Sequence, residues 1–425
     1  MQVERALLVA VETPGSPWDA ATSLRELAGL CESAGLEPVG EISQRLDRLD
    51  RNHYVGKGKL EEVKDRAAVD AIDVVVFDDE LSPRVQKAIE DELERRVIDR
   101  TTLILDIFAR RARSHEGRVQ VELAQYEFLL PRLVGRGGVL SRLGGGIGTR
   151  GPGETRLEVD RRRVRQRITH LKHEIDEIRQ HRKRSSERRR RLAMPLVALV
   201  GYTNVGKSSL LNALTGSEAI SANAPFVTLD PLTRTMTLEG GQEVLVSDTV
   251  GFIAKLPTTV VAAFRATLEE LHGADLLVHV MDVTDEKVAE TNAVVHGILR
   301  DIGVHDKPIV TAINKVDALG AAAADLAAPP DLDTVLVSAH SGAGLEQLRA
   351  RIESHVNSAS TYVAALVPYD RTDLVDLFHR RGQPLSVTHL AEGTEIEGRL
   401  PTRFIERFRP YLIERDPIFE GGRRR

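Results

Sequence analysis

Short apolar runs alternate with amphipathic stretches through the first quarter of the chain. Residues 6–11 ("ALLVAV") and 73–79 ("DVVVFDD") have the length of buried strands, whereas "SLRELAGLCESAG" and "PRVQKAIEDELERR" have the spacing of helices. Strands that alternate with helices are typical of an α/β fold. We predict a small N-terminal α/β domain over residues 1–115. At residues 55–59 ("VGKGK") glycine amides and lysines could contact phosphate, but the strand-loop-helix spacing of a nucleotide loop is missing, so we favour a plain turn.

A helical pattern with a long glycine-rich interruption occupies residues 116–193. Apolar residues in its second half recur at spacings of 7, 4, 3, 4 and 3, and Arg161 and Arg182 occupy the seam positions at the two ends. Such a heptad seam predicts two antiparallel helices packed together, with a tip at residues 135–153. The apolar seam residues are Leu157, Val164, Ile168, Leu171, Ile175 and Ile178.

Two further patterns complete the chain. Over residues 194–358, apolar runs again alternate with helical segments, which predicts a mostly parallel sheet with helices on both faces. Residues 359–425 contain a strand, a helix ("DLVDLFHRRG") and a strand pair around "HLAEGTEIEGRL", which is the pattern of a small α+β domain. The predicted fold class is therefore multidomain α/β.

Composition describes a protein with enough apolar residues for several cores. The chain has 425 residues, of which 42% are hydrophobic and 28% charged. Its one cysteine, Cys31, excludes an internal disulfide and favours a reducing compartment. The N-terminal apolar run is too short for a signal peptide, and no run reaches the roughly 20 apolar residues of a spanning helix. We expect a cytoplasmic monomer without integral membrane association.

The net charge of −5 conceals a strongly basic segment. Residues 154–191 contain 15 Lys/Arg and 7 Asp/Glu, whereas the remainder of the chain contains 43 and 56. The glycine-rich tip adds Arg136, Arg142 and Arg150 and has no acidic residue. Such a loop can track a phosphate backbone, so we predict RNA contacts through these arginines, and no DNA partner. The alternative is a solvated coiled coil with a structural role only.

The segment "PLVALVGYTNVGKSSLLNALTG" contains a strand, a loop and the start of a helix in succession. Within it Gly201, Gly206, Lys207 and Ser208 have GxxxxGKS spacing. In this pattern the loop amides surround a β-phosphate, the lysine adds a cation and the serine offers a hydroxyl to Mg²⁺. We predict a nucleotide-phosphate site here.

Three more motifs come next, in the order that one site requires. Asp248 ends a strand in Asp-Thr-Val-Gly, and Asn314 and Asp317 belong to "NKVD" after the apolar run "PIVTAI". An aspartate at that position can accept two hydrogen bonds from the N1 and N2 edge of guanine, which adenine cannot donate. Residues 338–340 ("SAH") then form a loop whose backbone can contact guanine O6. Together the motifs predict a GTP site.

Thr228 lies 20 residues beyond Ser208 in a segment without clear periodicity. Its hydroxyl can complete the Mg²⁺ shell when a γ-phosphate is present, which would order the segment. The alternative is a threonine in an ordinary strand. We favour the first interpretation, because the segment must cover the phosphates.

Phe252 comes directly after Gly251, at the position where many guanine-nucleotide switches have a glutamine that orients the attacking water. Its ring cannot make that hydrogen bond, so other groups must hold the water. Asn204 can ligate a K⁺ ion between the phosphates, where related enzymes place an arginine finger. Asn204 can equally brace the loop by hydrogen bonds, and both interpretations stay open. A bound partner could also order Thr228 and the Gly251 amide around the water.

Several segments resemble the HflX family of ribosome-associated GTPases across nearly the whole chain. They are "YVGKGKLEEV", "RVQVELAQYEFLLPRL", "GGGIGTRGPGETRLEVDRR", "GYTNVGKSSLLNAL", "FVTLDPLTR" and "DTVGFIAKLP". The chain departs from the family pattern at Ala254, where arginine is usual and a basic residue comes next at Lys255, and at Leu232, where threonine is common. These departures put partner contacts of those side chains in question, but not GTP binding.

The resemblance implies Mg²⁺-dependent GTP hydrolysis stimulated by ribosomes, with Ser208 and Thr228 as metal ligands. We expect Lys207, Thr228, Gly251 and Asn204 to act in catalysis. The nucleotide-binding residues that the motifs and the resemblance predict are Gly201, Tyr202, Thr203, Asn204, Val205, Gly206, Lys207, Ser208, Ser209, Phe226, Val227, Thr228, Leu229, Asp230, Asp248, Thr249, Val250, Gly251, Asn314, Lys315, Val316, Asp317, Ser338, Ala339 and His340.

The resemblance also implies a partner and a process. Members of the family bind the large (50S) ribosomal subunit and its rRNA, reach the peptidyl-transferase region with the hairpin tip, and split stalled ribosomes. We therefore expect a GTPase whose cycle controls ribosome remodelling. The alternative is a nucleotide-gated RNA-binding module that needs GTP binding but not hydrolysis.

Overall fold

The protein is described by a computed structural model. The residues described are 3–16, 18–133, 156–192, 194–217, 225–226, 228, 232–257, 269–304, 306–325, 333–358, 360–401 and 404–413. The predicted hairpin tip, with Arg136, Arg142 and Arg150, lies outside them. Val227, Leu229 and Asp230 of the predicted nucleotide site lie outside them as well.

A four-stranded parallel sheet forms the N-terminal domain. Its strands are β1 (Glu4–Glu12), β2 (Leu36–Arg45), β3 (Val74–Phe77) and β4 (Arg96–Asp99), in the order β2-β1-β3-β4. The helices are α1 (Ala20–Ser33), α2 (Lys57–Val69), α3 (Pro83–Leu93) and α4 (Arg100–Arg111). Because strand side chains alternate between faces, Ala6, Leu8 and Ala10 enter one core cluster and Leu7 and Val9 another.

The predicted turn at residues 55–59 is wrong in its second half. Helix α2 begins at Lys57, and Gly56 is the N-cap residue with φ −64° and ψ 152°. The amide of Gly56 donates to Gln44 Oε1 over 2.9 Å, which ties the start of the helix to β2. The glycines of "VGKGK" favoured a turn. The next residues, "LEEVKDRAAV", include enough helix-forming residues to propagate a helix whose first residue is Lys57.

Helices α5 (His115–Arg132) and α6 (Arg156–Leu192) form the predicted antiparallel pair. Of the predicted seam, Val164, Ile168, Leu171 and Ile175 are buried against residues of α5. Ile178 and Arg161 are half-buried. Arg167 donates from Nε and Nη2 to the two carboxylate oxygens of Glu122 over 2.7 and 2.8 Å. The side chains of Leu157 and Arg182 lie outside those described.

The third domain has a six-stranded sheet. Its strands are β5 (Leu196–Gly201), β6 (Leu232–Thr237), β7 (Glu243–Asp248), β8 (Leu276–Asp282), β9 (Ile309–Asn314) and β10 (Thr334–Leu336). The order is β10-β9-β8-β5-β7-β6, and the strands are parallel except β6, which is antiparallel to β7. The helices described in this domain are α7 (Lys207–Thr215), α8 (Val288–Asp301) and α9 (Leu345–Ser358).

The C-terminal domain has an antiparallel sheet with a core of its own. Strands β11 (Ser360–Val367), β12 (Gln383–Leu390) and β13 (Gly393–Pro401) have the order β11-β13-β12. Helix α10 (Thr372–Arg381) and the short α11 (Ile405–Phe408) place Phe378 and Phe408 on this sheet. The predicted multidomain α/β fold class is therefore confirmed.

The N-terminal and third domains share one hydrophobic core. Phe108 of α4 and Phe226 meet edge to face with ring centroids 4.6 Å apart, and Trp18 lies 5.9 Å from Tyr202. The domain boundaries remain our proposal: α5 begins at His115 and β11 at Ser360, close to the predicted limits. Among the residues described, every helix is too short or too polar to span a membrane.

Candidate nucleotide-binding site

The loop between β5 and α7 has the backbone geometry of a phosphate-binding loop. Gly206 has φ 93°, and a Cβ there would lie 2.4 Å from Asn314 Nδ2, so only glycine fits. Asn204 also has a positive φ, 63°, and its exposed side chain makes no hydrogen bond to any described residue. The start of α7 at Lys207 directs its free amides towards the loop, where an anion is favoured.

The Lys207 side chain reaches from the start of α7 back into this loop. Its Nζ donates to the carbonyl oxygens of Gly201 and Tyr202 over 3.1 and 2.7 Å. Burial lowers the pKa of Lys207 to about 8, and the nearby Asp248 carboxylate opposes that shift. The lysine is thus a buried cation that a phosphate would stabilise further.

Three oxygen-bearing side chains converge beside the lysine. Ser208 Oγ lies 2.6 Å from Asp248 Oδ2 and 2.7 Å from Thr228 Oγ1. Asp248 Oδ1 is buried and has no hydrogen-bond partner among the described residues. Burial raises the pKa of Asp248, although Lys207 offsets part of that rise. A hard cation such as Mg²⁺ fits this group, because it would satisfy the orphaned carboxylate oxygen and accept hydroxyl ligands.

A cavity of about 580 Å³ adjoins the loop on the side of β9. Ser338 Oγ donates to Asp317 Oδ1 over 2.6 Å, which fixes the carboxylate at the cavity wall. Asn314 joins the two halves of the site, because Nδ2 donates to Val205 O over 2.9 Å and Oδ1 accepts from Ala339 N over 3.0 Å. The wall also includes Ser209 and His340.

Other predicted residues hold the site's framework. Lys315 has φ 65° and forms an ion pair with Asp282 at 2.6 Å. Val316 N donates to Val337 O over 3.3 Å, and Thr249 Oγ1 donates to Leu199 O over 2.7 Å. Val250 is buried, and Phe226 packs on Phe108 with φ 56°.

Gly251 and Phe252 lie directly against the phosphate loop. Thr203 N donates to Phe252 O over 2.7 Å, and Phe252 N donates to Gly201 O over 3.1 Å. A Cβ on Gly251 would lie 2.9 Å from Thr203 Cα and 3.1 Å from Lys207 Nζ. The Phe252 ring is buried in the hydrophobic core, so the residue contributes only its backbone to the site.

The sequence reasoning missed the residues that the N-terminal domain adds to this region. Arg100 Nη2 donates to the carbonyl oxygen of Ala254 over 3.1 Å, and Lys255 forms an ion pair with Asp79 at 2.6 Å. Glu26 accepts hydrogen bonds from both Arg100 and Tyr202. The sequence does show that Arg100 lies between a strand and the start of an apolar helix, where a charged residue is unusual. No local pattern, however, indicates which residues Arg100 contacts.

Three family models match successive parts of the chain. The "GTP-binding GTPase N-terminal" model matches residues 21–109 and the "GTP-binding GTPase Middle Region" model residues 111–189. The "50S ribosome-binding GTPase" model matches residues 196–315. The fold and the site therefore define a P-loop GTPase.

Relatives identify the family. The GTPase HflX of Caldanaerobacter subterraneus subsp. tengcongensis is 44% identical over 410 residues, 96% of this chain and 94% of the relative. The GTPase HflX of Escherichia coli is 42% identical over 331 residues, 76% of this chain and 77% of the relative. The solved structure of a GTP-binding protein from Sulfolobus solfataricus with GDP is 26% identical, with a TM-score of 0.43, and the match covers 83% and 98% of the chains. The chain belongs to the HflX family of GTPases.

Proposed function

We propose that this GTPase binds the large (50S) ribosomal subunit and uses its GTP cycle to remodel or split stalled ribosomes. The observation that carries the nucleotide part is the convergence of Lys207, Ser208, Thr228 and Asp248 beside a cavity in which Ser338 holds Asp317. This convergence supports the predicted roles of these residues in binding and cleaving GTP.

The phosphates would enter the loop at the amides of residues 204–208. There the Lys207 ammonium would exchange its two carbonyl partners for phosphate oxygens. Ser208 and Thr228 would hold Mg²⁺ through their hydroxyls, and the Asp248 carboxylate lies 2.6 Å from Ser208 Oγ. The metal would neutralise charge on the β- and γ-phosphates. Asp317 would accept the guanine N1 and N2 protons at the cavity wall.

The attacking water requires groups other than the residue 252 side chain, which is buried in the core. We propose that it is held by the Gly251 amide and Thr228, both beside the phosphate loop. Asn204 is exposed and free of described hydrogen bonds, which favours the K⁺-ligand interpretation over the bracing one. A K⁺ ion there would stabilise the charge that develops during cleavage.

A K⁺ role predicts faster basal GTP hydrolysis in KCl than in NaCl at matched ionic strength. The Asn204→Ala variant should lose that difference, because the amide ligand is gone. Asn52→Ala is a matched control, since Asn52 is exposed in the N-terminal domain and does not line the cavity beside the loop. Equal rates in both salts, together with a neutral Asn204→Ala, would remove the cation from the mechanism.

Ribosome binding is supported by the family model and by charge. The middle region contains the basic residues 154–191 and, next to them, the acid-free tip with Arg136, Arg142 and Arg150. Phosphate contacts of this kind dominate affinity for nucleic acids. We propose that this hairpin contacts rRNA through its backbone rather than its bases.

The proposal is tested by GTP turnover with and without purified 50S subunits. We expect slow turnover by the free protein and a large acceleration on the subunit, with Mg²⁺ required in both cases. No acceleration by subunits would contradict the ribosome-stimulated cycle.

The alternative, action through GTP binding alone, is tested by ribosome splitting. Light scattering would compare the extent of ribosome splitting with GTP and with a non-hydrolysable analogue. A single round that survives in the analogue would assign hydrolysis to recycling, whereas its loss would assign hydrolysis to the splitting step.

A further inference from the structure

The peptide groups on both sides of Ala254 are held by side chains. Its amide donates to Tyr202 Oη over 2.7 Å, and its carbonyl oxygen accepts from Arg100 Nη2 over 3.1 Å. Tyr202 belongs to the phosphate loop, whereas Arg100 begins α4 of the N-terminal domain. Glu26 of α1 joins the two by accepting a hydrogen bond from each. We call Glu26, Arg100 and Tyr202 the Ala254 clamp.

A second contact fixes the next residue to the same domain. Lys255 forms ion pairs with Asp78 and, at 2.6 Å, with Asp79. Asp78 also accepts from Arg100 Nη1 over 2.9 Å, so the two contacts share a carboxylate. The chain beyond Phe252 is therefore connected to the N-terminal domain at two successive residues.

The Arg100 and Tyr202 side chains of the clamp keep the protons that they donate. Arg100 is 1% exposed. Burial alone would lower the pKa of Arg100, but Glu26 and Asp78 outweigh it and raise the pKa. Burial and Glu26 raise the pKa of Tyr202, so its hydroxyl keeps the proton that it donates. Both donors are thus intact at any physiological pH.

The clamped residue lies close to the reacting groups. Gly251, three residues earlier, is in contact with Thr203 and would bring a Cβ within 3.1 Å of Lys207 Nζ. Phe252 exchanges backbone hydrogen bonds with Gly201 and Thr203. The backbone from Gly251 to Ala254 is therefore held by the phosphate loop at one end and by the clamp at the other.

We propose that Arg100 and Tyr202 are positioning residues for GTP hydrolysis. Because the residue after Gly251 cannot orient water with its side chain, the backbone must do so, and the clamp keeps that backbone in place. The N-terminal domain then supplies part of the geometry of the hydrolysis step. This inference rests on the proposed use of backbone groups to hold the water.

Tyr202→Phe is the sharpest test, because it removes one oxygen and retains the ring that packs near Trp18. We expect kcat for GTP to fall by about tenfold, since small misplacements of reacting groups are costly. The Kd for GTP should change by less than about twofold, because binding does not use the hydroxyl. Tyr362→Phe is the matched control: it removes a hydroxyl that donates to Glu397 in the C-terminal domain, and kcat should not change.

Arg100→Lys tests the other half of the clamp while keeping the charge. An ammonium cannot reproduce the forked donation to Ala254, Glu26 and Asp78, so kcat should fall again. Because both variants act through Ala254, the double variant should lose less than the product of the two single losses. An unchanged or raised kcat in folded Tyr202→Phe, or equal losses in kcat and GTP affinity, would overturn the proposal.

Hydrogen exchange gives a readout that does not require turnover. In the GDP-bound protein, Tyr202→Phe should exchange the amides of residues 251–255 faster than the wild type does, while residues 360–413 exchange alike. Unchanged exchange at residues 251–255 would overturn the clamp even if the chain hydrolyses GTP. Faster exchange would support it even if ribosome stimulation failed.

Discussion

At the residue scale, the proposed preference for guanine depends on one carboxylate. Asp317 is held by Ser338 Oγ at 2.6 Å, and this hydrogen bond lowers the pKa of Asp317. The carboxylate is therefore ionised and fixed at the wall of the cavity before a base arrives. Such preorganisation is what lets a hydrogen-bonding site reject a base with the wrong edge.

Asp317→Asn should weaken GTP binding by at least about tenfold, because a charge-assisted pair of hydrogen bonds is lost. The amide should instead prefer XTP, whose base offers the matching donor and acceptor. Competition between GTP and XTP for a fluorescent nucleotide would measure the preference. Asp373→Asn in the C-terminal domain is the control, and an Asp317→Asn protein that still prefers GTP would refute the assignment.

A second residue-scale prediction concerns Lys207 and pH. Its pKa is lowered to about 8 in the nucleotide-free protein, and bound phosphates would raise it. The ammonium is thus present below pH 8 and is lost above it, so GTP affinity should fall as pH rises from about 8 towards about 9. Titrations of Kd in this window would show the decline.

The matched control for this pH dependence is Lys207→Arg, because a guanidinium remains charged over the whole range. The ratio of the two Kd values removes the contribution of guanine's own ionisation. A ratio that does not change across this pH window would show that Lys207 stays protonated without nucleotide.

At the element scale, we propose that the α5–α6 hairpin separates structural and binding roles along its length. Buried Val164, Ile168, Leu171 and Ile175 hold the helices together, and Arg167 and Glu122 add a paired hydrogen bond. In the sequence, Arg136, Arg142 and Arg150 lie between the two helices, in a segment without acidic residues. Ribosome affinity and hairpin stability should therefore respond to different substitutions.

Replacing Arg136, Arg142 and Arg150 together by alanine should weaken 50S binding and reduce its salt dependence. Each lost phosphate contact lowers the slope of log K against log salt by about 0.7 to 0.9. Sedimentation binding over a salt series would measure both quantities, with GTP affinity unchanged. Replacing Arg45, Arg110 and Arg409, which are 83%, 56% and 73% exposed, provides a charge-matched control. Unaltered affinity in the triple variant would contradict RNA contact by the tip.

At the scale of the whole molecule, one core connects the N-terminal domain with the GTPase domain, while the C-terminal domain has a separate core. Phe108 contacts Phe226, and Arg100 contacts Ala254, so both segments that we propose cover the phosphates meet the N-terminal domain. A ligand that binds the folded GTPase domain should therefore stabilise the N-terminal domain as well.

Hydrogen exchange with and without GDP would test this coupling. Amides of α4 should exchange more slowly with GDP, whereas those of β11 and β13 should be unaffected. Phe108→Ala should abolish the slowing and cost about 3 to 5 kcal/mol of stability, because it empties a buried site. Phe378→Ala, the matched change in the C-terminal core, should leave the slowing intact. Equal slowing in both variants would refute the coupling.

The sequence by itself determined the elements and the chemistry that near neighbours define. Gly206, Lys207 and Ser208 act within one turn of chain, so their spacing alone predicts a phosphate loop. Likewise, the seam of α6 is readable because a helix repeats its faces every few residues. Residues 55–59 show the limit of this reasoning, since the helix that starts at Lys57 depends on the helix-forming residues that come after it.

Only the tertiary structure decided how the domains meet. Arg100 and Ala254 are 154 positions apart in the chain, and no periodicity connects them. The sequence showed that the Phe252 side chain cannot hold water, but not that the neighbouring backbone is held by a buried arginine. The physical reason is that local geometry depends on bonded neighbours, whereas a buried arginine is satisfied by carboxylates and carbonyl oxygens that only folding brings together.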